Sequence, residues 1–193
     1  MIIEDKCTQA YFIQSVQNHT AIIKQDDGVY RDILCRNPAS NDMRFGVKTW
    51  PRHLCFYGDM GCWVFEVGEN PFGGFKGWSE KITATDIHGG TDEYSSELLE
   101  EAVKEYYYDY LAEKGMTEED KIELWDNLKT SVLGARCEYE ARENAENFSW
   151  RGKYCFHDFA ETRLTRKTFR YIWSCYAIAW AVGQYDLIKG VGK

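Results

Sequence analysis

Apolar and polar residues alternate through much of the first third of the chain, which is the period of β-strands. Two such runs, TAIIKQ and VYRDILC, flank the segment Asp26-Asp27-Gly28. An Asp-Gly turn between β-branched runs is a strong hairpin signal. After a polar turn at residues 37–42 the alternation resumes in MRFGVKTW. These runs predict an antiparallel β-meander in residues 1–67.

The clearest alternation surrounds the turn Gly58-Asp59-Met60-Gly61, which joins the segments HLCFY and CWVFEV. Each segment presents apolar side chains on both of its faces: Leu54 and Phe56 oppose His53, Cys55 and Tyr57, and Cys62 and Val64 oppose Trp63 and Phe65. A strand that is apolar on both faces is typical of the middle of a sheet. The pattern therefore predicts a central hairpin that is covered on both sides, with helices on at least one.

After a Gly-rich loop at 68–90, which includes a short helix at 78–82, the apolar period changes from 2 to 3.6. Ser95 or Ser96 is a suitable N-cap for a helix that Gly115 ends. Thr117, with Asp120 three residues later, starts a second helix, which is predicted to continue through the charged segment EYEARENAE. A final helix is predicted over residues 165–185.

Strands followed by helices indicate the α+β class, with the meander packed against the C-terminal helices. A length of 193 residues fits a single domain, mostly β in residues 1–67 and mostly α in residues 91–193. The longest apolar stretch, at 171–182, falls short of the roughly 20 residues that a membrane span needs. We therefore expect no contact with a membrane.

Charge is distributed unevenly along this acidic chain, whose net charge is −8 and whose pI is about 5.1. Residues 91–146 hold about 17 acidic and about 6 basic side chains, which makes the middle of the chain an acidic block. This balance argues against nonspecific binding to nucleic acid. The 7 cysteines form no CxxC pair, and the first residues lack the features of a signal peptide. We therefore expect reduced thiols and a cytoplasmic location.

Two groups of residues have the types that catalysis needs. His53 and Asp59 lie beside the second hairpin, but about six residues of extended strand separate them by about 20 Å. The favoured interpretation of Asp59 is a turn residue that accepts hydrogen bonds from backbone amides. Cys155, His157 and Asp158 form the densest reactive cluster, which suits half a metal site or a thiolate activated by histidine. No second ligand pair follows, so we predict no metal and no cofactor.

Two charged groups are candidates for binding. Arg163, Arg166, Lys167 and Arg170 recur at helical spacing, which predicts a cationic face for phosphate or an RNA backbone. The alternative is that these cations neutralise the acidic helices or face solvent. The acidic block includes a further set on the first long helix, which either faces solvent or docks a basic partner: Glu97, Glu100, Glu101, Glu105 and Asp109.

The segments Thr49-Trp50-Pro51, His53-Leu54 and Gly58-Asp59-Met60-Gly61 carry a family resemblance. In this pattern, TWP-x-HL followed by GDMG, the chain resembles a family of uncharacterised proteins encoded by bacteriophages and prophages. Arg52 stands where that pattern has a small residue. Downstream, residues 77–81, 93–95 and 169–185 resemble further segments of the family, so the resemblance touches most of the chain.

The resemblance implies no activity, cofactor or catalytic residue. It implies a phage accessory protein in the host cytoplasm that binds a host protein, for example as a counter-defence inhibitor of the anti-CRISPR type. Two alternatives stay open: a small enzyme with a Cys/His/Asp site between sheet and helices, and a nucleic-acid-binding accessory protein. A homo-oligomer also stays open.

Overall fold

A computed structural model describes residues 7–69, 78–87, 90–154 and 156–190. Its strands come first and most of its helices follow, so the predicted α+β class is confirmed. The chain forms two compact units. The first contains the residues up to Thr91 together with those from Lys167 onward, and the second contains residues 92–166.

The first unit is a six-stranded antiparallel sheet with two helices. The strands follow one another across the sheet in chain order. A single turn of 3-10 helix at Trp78–Lys81 precedes the sixth strand, within the segment predicted as a loop. The elements are α1 (Gln9–Ser15), β1 (Thr20–Asp27), β2 (Tyr30–Arg36), β3 (Phe45–Trp50), β4 (His53–Gly58), β5 (Gly61–Glu66), β6 (Ile82–Thr85) and, after the second unit, α5 (Phe169–Lys189).

The β4–β5 hairpin lies inside the sheet, as its sequence predicts, but only one of its faces is fully buried. Leu54, Phe56, Trp63 and Phe65 are at most 1% exposed. They pack into the core that α5 covers, where Trp173 contacts the Phe56 ring edge to face at 6.5 Å. On the other face the side chains are half-buried: His53, Cys55, Tyr57, Cys62 and Val64. We call this second side the open face.

The Gly58–Gly61 turn is anchored to its neighbours through backbone groups. Asp59 accepts a hydrogen bond from the backbone N–H of Arg44 at 3.1 Å, and its own N–H donates to the Arg44 carbonyl at 2.9 Å. Arg170, in the first turn of α5, donates to the carbonyl of Met60 at 3.1 Å. The tight turn is thus held in place by contacts with β3 and α5.

The turn between β3 and β4 explains why a small residue suits position 52. Arg52 has a φ of 64°, a left-handed conformation that favours glycine. Its guanidinium pairs with Glu66 at 2.9 Å across the hairpin. Both side chains are well exposed, so this ion pair stabilises the turn only weakly.

The second unit is built from three helices and short strand pairs. Ser95 and Thr117 cap α2 and α3 with their hydroxyls, and Gly115 ends α2 in a left-handed conformation, as predicted. The charged segment after α3 forms a separate helix instead of continuing α3. The elements are β7 (Asp92–Tyr94), α2 (Ser96–Lys114), α3 (Glu118–Ser131), α4 (Glu138–Asn147), β8 (Ser149–Trp150), β9 (Lys153–Tyr154) and β10 (Thr165–Lys167), which pairs with β7.

The chain leaves and re-enters the first unit at almost the same point. The backbone N–H of Thr168 donates to the carbonyl of Thr91 at 2.8 Å, and the Lys167 ammonium reaches the Thr91 hydroxyl at 3.4 Å. The second unit is therefore an insertion between β6 and α5. Among the helices of the described segments, none has the length and apolar character that crossing a membrane requires.

A polar contact at the end of α5 lowers the pKa of Asp26. Lys189 lies 2.7 Å from Asp26, and the Tyr185 hydroxyl donates to the same carboxylate at 2.8 Å. These hydrogen bonds, the one from Lys189 first, lower the pKa of Asp26 below its ordinary value of 3.8. A lowered pKa means that the contact stabilises the fold above pH 3.8 and that this contribution is lost as the pH falls through the folded-state value.

We expect an NMR titration of the native protein to show this lowered pKa for Asp26. The Lys189→Met variant should return the pKa toward 3.8, because the largest cause of the shift is removed. A pKa at or above 3.8 in the native protein would contradict the contact.

Candidate functional site

Two of the acidic residues of α2 form contacts within the second unit. Glu97 accepts a hydrogen bond from the Ser95 hydroxyl at 2.9 Å and lies 3.6 Å from Arg166. Glu100 pairs with Lys104, and this contact is the largest cause that raises the pKa of the lysine. Both carboxylates thus form contacts within the second unit.

Three further acids form one row along the helix. Glu101, Glu105 and Asp109 are spaced by four residues, so they lie on the same side of α2. Glu105 and Asp109 are exposed, and Glu101 is half-buried. Within the described part of the chain, the carboxylates of Glu105 and Asp109 have neither a hydrogen bond nor an ion pair. We call these three residues the acidic row.

An aromatic pocket of about 300 Å³ lies between α2 and α3, beside the acidic row. It is lined by Lys104, Tyr107, Tyr108 and Trp125. Tyr107 packs on Trp125 with 5.1 Å between ring centroids and donates its hydroxyl to the carbonyl of Lys121 at 3.2 Å. Burial raises the pKa of Tyr107.

Tyr108 is the outermost part of this pocket. It is 64% exposed, and its ring contacts the fixed Tyr107 ring at 5.4 Å. Asp109 follows it in the chain, and Glu105 is three residues earlier on the same helix. The arrangement offers a partner one aromatic contact flanked by two carboxylates. The acids are visible in the sequence by their helical spacing, whereas Tyr108 and Trp125 are not, because aromatic residues on amphipathic helices resemble core residues.

The structure does not bring the predicted catalytic residues together. His53 begins β4, where it stacks on Trp50 with 5.3 Å between centroids and its Nδ1 lies 3.0 Å from the Pro51 carbonyl. Asp59 follows the other end of β4 and accepts from a backbone amide. The two side chains are therefore placed at opposite ends of one strand.

The second predicted cluster lies in the second unit. His157 and Asp158 are both exposed, and the Tyr106 hydroxyl donates to the His157 carbonyl at 2.5 Å. Asp158 has a φ of 57° and precedes a short turn of 3-10 helix at Phe159–Glu161. Cys155, the third member of the cluster, lies outside the described residues.

The prediction of a single helical face that carries all four cations is wrong; the four are Arg163, Arg166, Lys167 and Arg170. α5 begins only at Phe169, because the Thr168 hydroxyl caps it by accepting from the Tyr171 N–H at 3.3 Å. Upstream, Arg166 and Lys167 belong to β10, where successive side chains point to opposite faces.

Several of these cations also have partners within the protein. Arg166 lies 3.2 Å from Glu93, and Arg170 lies 3.4 Å from Asp86. Arg163 is exposed in the loop before β10 and donates to the carbonyl of Thr165 at 2.9 Å. The four cations therefore do not form the single helical row that would follow a phosphate backbone.

The open face of the first unit holds a pair of thiols. The Sγ atoms of Cys55 and Cys62 are 3.9 Å apart, and burial raises the pKa of Cys55 to about 12. The nearby Tyr57 hydroxyl donates to Asp32 at 3.2 Å, and burial, followed by Asp32, raises its pKa to about 12. Among the described residues, no group of three or more His, Cys, Asp or Glu side chains is arranged to hold a metal ion.

Comparisons with family models, with curated proteins and with solved structures give no match to this chain. Function is therefore inferred from the residues themselves. Of the predicted sites, the acidic row places three like-charged side chains on one side of a helix, and two of them are exposed. With Tyr108 beside it, this side of α2 has the composition of a surface for a basic partner.

Proposed function

We propose that the protein is a non-catalytic binding protein that docks on a basic surface of another protein through the acidic row and Tyr108. The observation that supports this most is the exposure of Glu105 and Asp109 around a tyrosine that is itself 64% exposed. Tyrosine is enriched among residues that dominate binding energy, and acidic neighbours increase the association rate with a cationic partner. The negative charge of the second unit also attracts a cationic partner before direct contact forms.

We infer the class of partner from the resemblance to phage and prophage proteins. A phage accessory protein acts in the bacterial cytoplasm and meets host proteins there. Nucleic-acid-handling host proteins, including components of defence systems, commonly carry the basic surfaces that an acidic row complements. The proposed role is that of a counter-defence inhibitor, which occupies such a surface.

A charge-reversal experiment tests the proposed surface. The variant Glu101→Lys/Glu105→Lys/Asp109→Lys reverses the acidic row, and Glu143→Lys/Glu146→Lys/Glu161→Lys makes the same change in net charge elsewhere in the second unit. We expect a host protein to be captured by the native protein and by the control, and its affinity for the acidic-row variant to fall at least about 10-fold. Tyr108→Ala should weaken binding without altering its salt dependence.

The biological role has its own test. Phage survival on a host that carries a defence system should rise when the native gene is present and should not rise with the acidic-row variant. A partner that binds the acidic-row variant as tightly as the native protein would contradict the proposed surface. Equal phage survival with and without the gene would contradict the counter-defence role.

A further inference from the structure

We propose that Cys55 and Cys62 form a two-thiolate site for a soft, thiophilic metal cation on the open face of the sheet. This site belongs to the first unit and is independent of the acidic row.

The register of the β4–β5 hairpin brings the two cysteines together. Tyr57 is paired with Cys62, and Cys55 is paired with Val64, so the cysteines are diagonal neighbours on adjacent strands. Alternation places both on the open face, away from the core that α5 covers. Both cysteines are half-buried.

The separation of the sulfurs fits a shared metal ion. Two thiolates bound to one tetrahedral ion, each about 2.3 Å from the metal, are about 3.8 Å apart. The Sγ atoms of Cys55 and Cys62 are 3.9 Å apart. An ion can therefore bind both without a shift of the strands.

A disulfide fits this pair less well than a metal ion does. Its sulfurs must approach to about 2.05 Å, and its Cα atoms are usually 4.4–6.8 Å apart, whereas diagonal neighbours across strands are typically about 7–8 Å apart. A disulfide would thus require movement of strands in the middle of the sheet. The native spacing favours coordination.

The surroundings select soft cations. The carboxylate of Asp86 accepts from the backbone N–H of Cys62 at 2.9 Å and lies 3.4 Å from Arg170. The carboxylate of Asp32 accepts from the Tyr57 hydroxyl and pairs with Lys48 at 3.1 Å. Both carboxylates are therefore already engaged. Across the strands, Cys55 is paired with Val64 on one side and with Lys48 on the other, and Cys62 is paired with Tyr57. Thiolates without oxygen ligands prefer ions such as Zn²⁺, Cd²⁺ and Cu⁺ over Mg²⁺ or Ca²⁺.

The binding step is an exchange of protons for metal. Each thiol releases one proton to solvent, two metal–sulfur bonds form, and no electron is transferred. Two protein ligands leave the other positions of a tetrahedral ion to solvent or to an external ligand. The chemical class of the ligand is thus a d¹⁰ cation with high affinity for sulfur.

Titration with Cd²⁺ in the presence of a non-thiol reductant tests the site. The native protein should bind one equivalent with an ultraviolet sulfur-to-metal charge-transfer band, and Mg²⁺ should neither produce the band nor compete. Cys55→Ser and Cys62→Ser should each lower the Cd²⁺ affinity at least 10-fold. Cys137→Ser, which changes an exposed cysteine of the other unit, is the matched control and should retain native binding.

A second measurement needs no variant. X-ray absorption of the native protein loaded with one equivalent of Cd²⁺ should show two sulfur neighbours at metal–sulfur bonding distance. One sulfur neighbour or none would overturn the proposal even if a serine variant fails to fold. Native affinity in both Cys55→Ser and Cys62→Ser would overturn it as well.

Discussion

Replacing Trp173 with alanine is expected to destabilise the first unit by about 3–5 kcal/mol. The side chain is completely buried and packs edge to face on Phe12 and Phe45, with ring centroids 5.2 and 5.4 Å away. Its indole N–H also donates to the Ser15 hydroxyl at 3.0 Å. The alanine variant therefore leaves a cavity where α5, α1 and the sheet meet. A loss of this size is a large part of the stability of a typical domain.

Denaturant unfolding monitored by circular dichroism would measure this loss of free energy. Trp173→Phe is the matched control, because it keeps an aromatic ring in the core and loses the hydrogen bond to Ser15. We expect it to cost about 1–2 kcal/mol, which is less than the alanine effect. Equal destabilisation by both variants would show that the hydrogen bond, and not ring packing, holds α5 in place.

Gly58→Ala is expected to destabilise the protein by more than about 2 kcal/mol although it adds only a methyl group. The φ of Gly58 is 149°, a conformation that other residues rarely adopt. A Cβ at this position would also lie 2.3 Å from the carbonyl oxygen of Arg44 and 2.6 Å from the Cα of Phe45. Both contacts are with the backbone of β3, which cannot move aside without disturbing the sheet.

Gly28→Ala is the control for Gly58→Ala. Gly28 also has a positive φ, 60°, but a Cβ there would meet nothing within 4 Å. Its replacement should cost only about 1–2 kcal/mol, the strain of a left-handed residue. The difference between the two midpoints of unfolding therefore measures the collision with β3. If the two variants unfold at the same denaturant concentration, the backbone around residue 58 accommodates the added methyl group, which would contradict the predicted collision.

The alternating strands and the capped helices were predictable because their signals are local. Period-2 alternation predicted β4 and β5, and the caps Ser95, Gly115 and Thr117 marked helix ends correctly. The start of α5 was predicted too early because residues 165–167 match helical spacing as well as strand spacing. These residues form a strand and not a helix because β10 pairs with β7, which is distant in sequence. Such long-range pairing leaves no trace in a local pattern.

The thiol pair could have been found from the sequence, since it follows from the hairpin register alone. A turn that pairs Gly58 with Gly61 places Cys55 diagonal to Cys62. The acidic row was likewise visible in the helical spacing of α2. By contrast, the aromatic pocket depends on how Trp125 of α3 packs on Tyr107, which only the tertiary structure shows.

The insertion of the second unit between β6 and α5 has a consequence for synthesis. A ribosome makes all six strands of the sheet before it makes the helix that covers them. Phe45, Phe56 and Trp63 then lack the packing of α5 while the whole second unit is translated. A nascent sheet with an uncovered aromatic face is prone to aggregate or to recruit chaperones. The length of the insertion thus determines the delay between synthesis of the sheet and synthesis of α5. A shorter insertion would allow α5 to pack on the sheet sooner.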